Sequence, residues 1–181
     1  MKVLKGFCER VLYLDYDGVL HPEDVYRHPK RGIYLWPGYV GHRLFENVDY
    51  LVEALAPYPE VQIVLSTSWV RVLGYSRARG YLPEELSRRV IGATFHSAMP
   101  RDIFLEQSRP AQVLSDIRRR KPAAWLAIDD VVDGWPAESL QNFVPSHPVT
   151  GCGDAKVLSE LKGKLANNFS TQADAAIGGL G

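Results

Sequence analysis

Cysteine is scarce: the chain has only Cys8 and Cys152, with no CxxC spacing and no His pair beside either. That argues against a disulfide scaffold or a zinc site, and both residues read as small apolar side chains of a reduced chain. An excess of one charge is also missing, since Lys plus Arg number 21 and Asp plus Glu number 21. Overall charge therefore points to neither a nucleic acid nor a membrane, and any such partner has to be argued from local patches. No stretch approaches the roughly 20 apolar residues of a membrane helix. The opening Met1-Lys2-Val3-Leu4-Lys5-Gly6 lacks the sustained apolar run of a secretory signal. Cytoplasmic placement, no membrane partner and no obligate protein partner are the expectations that follow.

What is present fits one domain. At 181 residues and 46% hydrophobic, the chain is long enough for one proper core and too short for two. The expected domain covers 1–166, and the polar, glycine-rich stretch 167–181 is expected to be a poorly ordered tail. Four short apolar runs read as buried strands: Val11 to Leu14, Val61 to Leu65, Val90 to Ala93 and Trp125 to Ile128. A fifth, near Phe143-Val144, could close one edge. Between them, helical spacing runs from Leu44-Phe45 through Val48, Leu51, Val52 and Leu55, and again from Pro110 to Ile117.

Strand and helix alternate, which predicts a Rossmann-like three-layer α/β/α fold around a parallel sheet. Two insertions interrupt the alternation. Residues 21–44 include Val25-Tyr26-Arg27-His28, a turn at Pro29 to Gly32, and Ile33 to Trp36, which predicts a β-hairpin flap. Val70 to Ser87 predicts a short arginine-bearing helix, a turn near Gly80 and a second helix opened by Pro83-Glu84-Glu85. Neither is large enough to be a cap domain.

Functional groups of such sheets gather beyond the carboxyl ends of the strands. The first run leads straight into Asp15-Tyr16-Asp17-Gly18, the second into Ser66-Thr67-Ser68, and the fourth into Asp129-Asp130. Three polar clusters thus fall at strand ends. Carboxylates crowded into one crevice repel by roughly 4 kcal/mol per pair at about 4 Å and an effective dielectric near 20. A bound cation relieves this, and an all-oxygen ligand set favours Mg²⁺. Such an ion would also screen a phosphate under attack by a carboxylate.

The segment Leu14-Asp15-Tyr16-Asp17-Gly18-Val19-Leu20 resembles the first motif of the haloacid dehalogenase (HAD) superfamily. The resemblance implies that Asp15 is a nucleophile forming an aspartyl-phosphate and that Asp17 is its acid/base partner. Gly18 permits the tight turn that follows. A second aspartate steers the chain to phosphatase or phosphotransferase chemistry rather than dehalogenation. The second motif implies a hydroxyl on the phosphoryl oxygens, with Thr67 favoured, Ser66 next and Ser68 beside them. The third implies a Lys or Arg, for which Arg109 is the candidate and Lys121 the rival. The fourth matches Asp129-Asp130, implying Mg²⁺ held by the carboxylates of Asp15 and Asp129 and the backbone carbonyl of Asp17. Asp130 would assist through water or by holding Arg109, and Asp133 could do the same.

The match runs in order from about Val11 to Val144. Together with His21-Pro22, Trp69, Val90 to Thr94 and Trp135 it is similar to a small subgroup, the HAD domain found in Swiss Army Knife RNA repair proteins. The chain is expected to stand alone, without the ligase or kinase modules of those proteins, so the resemblance by itself does not safely imply an RNA substrate. By family analogy the capless crevice implies a phosphorylated substrate that is bulky, such as a nucleic-acid end or phosphoprotein, over a small metabolite. Two other readings stay open: a phosphate-binding or phosphoacceptor regulatory module, and a phosphotransferase that shares every residue.

Several residues have a plainer reading. Trp36, Trp69, Trp125 and Trp135 read as packing residues, although Trp36 and Trp69 could touch substrate. His21 is a candidate substrate contact, whereas His28, His42, His96 and His147 carry no spacing signal. Arg118-Arg119-Arg120-Lys121 closes a helix, where cations meet the carboxyl end of the dipole. Arg71, Arg77 and Arg79 are the better candidates for an anionic substrate.

Overall fold

Val11, Leu12, Tyr13 and Leu14 are all fully buried, a pattern that only the middle of a sheet covered on both faces allows. The computed structural model describes residues 10–169. Cys8, the N-terminal segment and residues 170–181 lie outside them, together with the expectations placed there. In chain order the strands are β1 (Arg10–Leu14), β2 (Val25–His28), β3 (Gly32–Leu35), β4 (Gln62–Leu65), β5 (Val90–Ala93), β6 (Ala124–Asp129) and β7 (Phe143–Pro145). The helices are α1 (Val48–Leu55), α2 (Trp69–Leu73), α3 (Tyr75–Arg79), α4 (Glu84–Ser87), α5 (Arg101–Glu106), α6 (Arg109–Arg120) and α7 (Ala155–Phe169).

Five strands form a parallel sheet in the order β5-β4-β1-β6-β7, with the expected edge strand at Phe143. The two-residue period of β1 divides its side chains between two cores. Leu12 and Leu14 join Ile63, Leu65, Leu51 of α1 and Leu161 of α7, while Val11 and Tyr13 join Val64, Val113 of α6, Trp135 and Phe143. This is the three-layer Rossmann-like arrangement. β2 and β3 pair antiparallel from Val25 with Leu35 to His28 with Gly32, which forms the small flap, and no large cap accompanies it among the described residues. Among those residues no helix is long and apolar enough to cross a membrane.

Local structure departs from the sequence reading in four places. The first helix begins at Val48, not Leu44, because Phe45 adopts φ 60, a left-handed conformation that ends any helical run. Gly74, at φ 89, splits the predicted arginine-bearing helix into α2 and α3. α5 has no counterpart in the sequence reading. Nor has α7, whose Val157, Leu161, Leu165 and Phe169 are buried at four-residue spacing. That helix runs past 166, so Asn167 to Phe169 are helical rather than tail.

The loop after β1 is braced from the far end of the chain. Asn47 Nδ2 donates to the Thr150 carbonyl at 2.8 Å, Asn47 N to Leu20 O at 3.0 Å and Cys152 N to Val19 O at 2.9 Å. Gly151 sits at φ 55 where an added Cβ would lie 2.1 Å from Val19 O, so only glycine lets these segments meet. Cys152 is a buried free thiol, in keeping with its reading as a small apolar side chain.

Candidate active site

The chain lays β4 and β5 on one side of β1, then crosses to place β6 on the other. The carboxyl ends of β1 and β6 therefore flank the switch point, where a crevice opens in such sheets. Leu14 is in register with Ile128, and Asp15 N donates to Ile128 O at 3.2 Å, so Asp15 and Asp129 emerge side by side. Both are 2% exposed. Asp130 completes a group of three, each offering one carboxylate oxygen within 4.8 Å of the others. Gly18 makes room for it: at φ 68, an added Cβ would stand 2.3 Å from Asp130 Oδ2.

Arg109 opens α6 and spans the crevice floor. Its Nη2 donates to Asp15 Oδ2 at 3.0 Å, its Nη1 to Ser66 O at 2.5 Å, and its Nε pairs with Asp129 Oδ2 at 3.1 Å. Burial works to lower its pKa, but Asp15 and Asp129 outweigh that and raise it, so the guanidinium stays charged. The rival Lys121 is not brought to the site. It caps the opposite end of α6 in a left-handed conformation, about 18 Å of helix away at ~1.5 Å per residue. Arg109 also pairs with Asp15 and Asp129, not with Asp130, and the exposed Asp133 does not join the acidic group.

Asp17 turns away from that group. Its Oδ1 accepts Trp69 Nε1 at 2.7 Å and His21 Nε2 at 3.1 Å, while Oδ2 has only a long contact from Ser68 Oγ at 3.4 Å. His21 is fully buried, so the expected substrate contact is not available to it. Its Nδ1 accepts a hydrogen bond from Phe45 N at 3.3 Å, which leaves Nε2 to carry the proton that Asp17 receives. Trp69 likewise serves as a donor to Asp17 as well as packing edge-on against Tyr16, Phe45 and Tyr81. Its sequence context gave no sign of the first role, because the indole returns to Asp17 only through the turn into α2.

The three hydroxyls part company. Thr67 lies close enough to Asp15 to lower its pKa and accepts Trp69 N at 3.4 Å, Ser68 faces Asp17, and Ser66 Oγ is buried without a hydrogen-bond partner. Arg71 lies close enough to Arg109 and Arg101 for their charges to lower its pKa, after the larger effect of burial. Arg79 is spent on structure, its Nε donating to Ser87 O at 2.8 Å. Trp36 is half exposed on the flap, and Trp135 stacks on Phe143 at 4.3 Å. At the far end of α6, Arg119 and Arg120 pair with the buried Asp116, in keeping with a structural role for that basic run.

The acidic group suits a hard cation. Burial raises the Asp15 pKa to about 6 against the pull of Arg109, and raises Asp129 well above its ordinary value. Burial, with Asp15 next, raises Asp130 to about 7. Asp129 Oδ2 receives no hydrogen bond although it is buried beside Arg109. Crowded oxygens, an under-satisfied acceptor and a group made of carboxylates alone among the described residues fit Mg²⁺. These raised values mean that folding favours the protonated carboxyls, so their contribution to stability is full below about pH 4 and lost as pH rises through about 6 to 7. Added Mg²⁺ is therefore expected to raise Tm by several degrees at pH 7.5 and hardly at all at pH 4.5, read by thermal denaturation against a chelator control. An equal increment at both values would rule out the carboxylates as its site.

No curated protein and no solved structure gives a significant match to the chain. A family model does: the HAD domain in Swiss Army Knife RNA repair proteins matches residues 11–157, from the start of β1 into α7. That span contains the parallel sheet, the flap and each of the strand ends from which the aspartates, hydroxyls and Arg109 converge. On that match, and with the sheet and the acidic cluster arranged as described, the chain belongs to the HAD superfamily as a HAD domain of the kind in Swiss Army Knife RNA repair proteins.

Proposed function

We propose that the protein is a Mg²⁺-dependent phosphatase that hydrolyses phosphate monoesters through an aspartyl-phosphate on Asp15. The observation that carries this reading is the contrast between the two first-motif aspartates. Asp15 is buried against Arg109 and Tyr16 N, the latter donating to its Oδ1 at 2.7 Å. Asp17 faces a cavity of about 120 Å³ beneath the flap, with one oxygen fixed by two donors and the other lightly held.

In this reading Asp15 attacks phosphorus and the bond to the leaving oxygen breaks. Asp17 gives its proton to that oxygen from Oδ2, the atom not tied by Trp69 and His21, and then takes a proton from the water that cleaves the acyl phosphate. Thr67 and Arg109 hold the phosphoryl oxygens and keep Asp15 aligned. The carboxylates of Asp15, Asp129 and Asp130, with the carbonyl of Asp17, would hold Mg²⁺. Bound there, the ion screens the charge of the phosphate as the carboxylate approaches.

The test is phosphate release by the wild type from an aryl phosphate, nucleotides, phosphopeptides and 3′- or 5′-phosphorylated oligonucleotides. Release with Mg²⁺ that stops with EDTA is the expected result. If none of these is hydrolysed with Mg²⁺ present, the enzyme reading gives way to a phosphate-binding module.

A further inference from the structure

The cavity at Asp17 adjoins a second space under the flap, with Arg27 and Ile33 lining both. Val25 and Ile33 of the flap form one wall, and Trp69 and Val72 of α2 form the other. The second space, of about 440 Å³, lies between the hairpin turn and α3, with Arg77 and Tyr81 among its lining residues. Beyond Asp17, no carboxylate among the described residues lines either space. Arg27 comes from the flap and Arg77 from α3, and among the described residues neither forms an ion pair. Arg27 makes one long contact across the groove, from Nη1 to Val72 O at 3.4 Å.

Direction follows from the proton. If Asp17 protonates the leaving oxygen, the leaving group lies on the Asp17 side of phosphorus, while Arg109 and the aspartate cluster hold the phosphoryl side. The groove that begins at Asp17 is the space open to it. Two guanidinium groups from separate elements, with no acid between them, are suited to a planar-forked grip on an oxyanion.

We propose that this groove receives the leaving group, and that Arg27 and Arg77 bind a second phosphate carried by it. The favoured substrates are thus phosphate esters whose alcohol component is itself phosphorylated, as in nucleoside bisphosphates or a 5′-phosphorylated nucleotide chain. The proposal rests on the roles given above to Asp15 and Asp17.

The experiment compares kcat/KM for a nucleoside 5′-monophosphate, the corresponding 3′,5′-bisphosphate and a 5′-phosphorylated trinucleotide. The expected wild-type preference for the latter two is about tenfold or more. It should decline with salt, appear mainly in KM, and vanish in Arg27→Gln/Arg77→Gln, while Arg118→Gln, remote from the groove, retains it. Preference for the bisphosphate alone identifies a small-molecule source, and preference for both identifies a nucleotide chain. A wild type that treats mono- and bisphosphate alike, or a double variant that keeps the preference, overturns the subsite. Calorimetric binding to Asp15→Asn separates this from the phosphatase reading. If nothing is hydrolysed yet the bisphosphate binds about tenfold tighter than the monophosphate, through Arg27 and Arg77, the subsite stands and the phosphatase reading falls. If the two bind equally, the subsite falls.

Discussion

Asp15→Asn is expected to lower Mg²⁺-dependent phosphate release by at least about 10⁴-fold without lowering Tm at pH 7.5 in chelator. The amide is isosteric but is a poor nucleophile, so no aspartyl-phosphate forms. Its effect on stability differs from that of an ordinary buried-charge deletion. Asp15 is raised to about 6 by burial, and Asp17 also pushes it up, so its ionised form sits in an unfavourable environment despite Arg109. Removing that charge relieves the repulsion with Asp129 and Asp130, while Arg109 keeps its contacts to Asp129 and the Ser66 carbonyl. The stabilising increment from Mg²⁺ should shrink at the same time, since one of three clustered carboxylates is gone. A variant that retains activity within about tenfold of the wild type would remove the covalent role from Asp15.

That site was visible in the sequence because its parts sit at strand ends. A parallel sheet fixes where β1, β4 and β6 finish, so Asp15, Ser66-Thr67 and Asp129 were bound to meet once the alternation was read. The hairpin was equally legible, since Pro29 to Gly32 separates two short β-rich runs of equal length. What stayed hidden depends on backbone excursions that no periodicity encodes. Phe45 at φ 60 shortens α1 and also points its N–H at His21, and that bond assigns His21 to Asp17 rather than to substrate. Trp69 reads as one more apolar residue until α2 brings its indole N–H to Asp17. The choice between Arg109 and Lys121 required knowing which end of α6 faces the crevice. Helix direction decides it: a helix that leads into a parallel strand starts near the carboxyl end of the sheet and finishes near the amino end. α7 is less legible because its narrow apolar stripe is interleaved with Ser, Lys, Gly and Asn.

Arg109 is where fold and chemistry depend on one another, and Arg109→Ala is expected to damage both. The guanidinium bridges β1, β4 and β6 through Asp15, the Ser66 carbonyl and Asp129, so its loss leaves two buried carboxylates without their cation. Removing one partner of a buried ion pair costs about 3–5 kcal/mol, and removing a preorganised charge from a reacting oxyanion costs about 10²–10³-fold in rate. Denaturant unfolding and phosphate release should show both losses. Mg²⁺ distinguishes them: saturating ion offsets the repulsion between the aspartates and should recover much of the stability, but it leaves the guanidinium's hydrogen bonds unmade and kcat depressed. Arg109→Lys sharpens the comparison, since one ammonium cannot reproduce two directed N–H bonds at 2.5 and 3.0 Å together with the ion pair to Asp129 at 3.1 Å. It should fold nearly as well as the wild type while turning over close to the alanine variant. Should lysine restore turnover fully, Arg109 would be acting as a point charge, and the alignment of Asp15 would have to come from Tyr16 N and Thr67 instead.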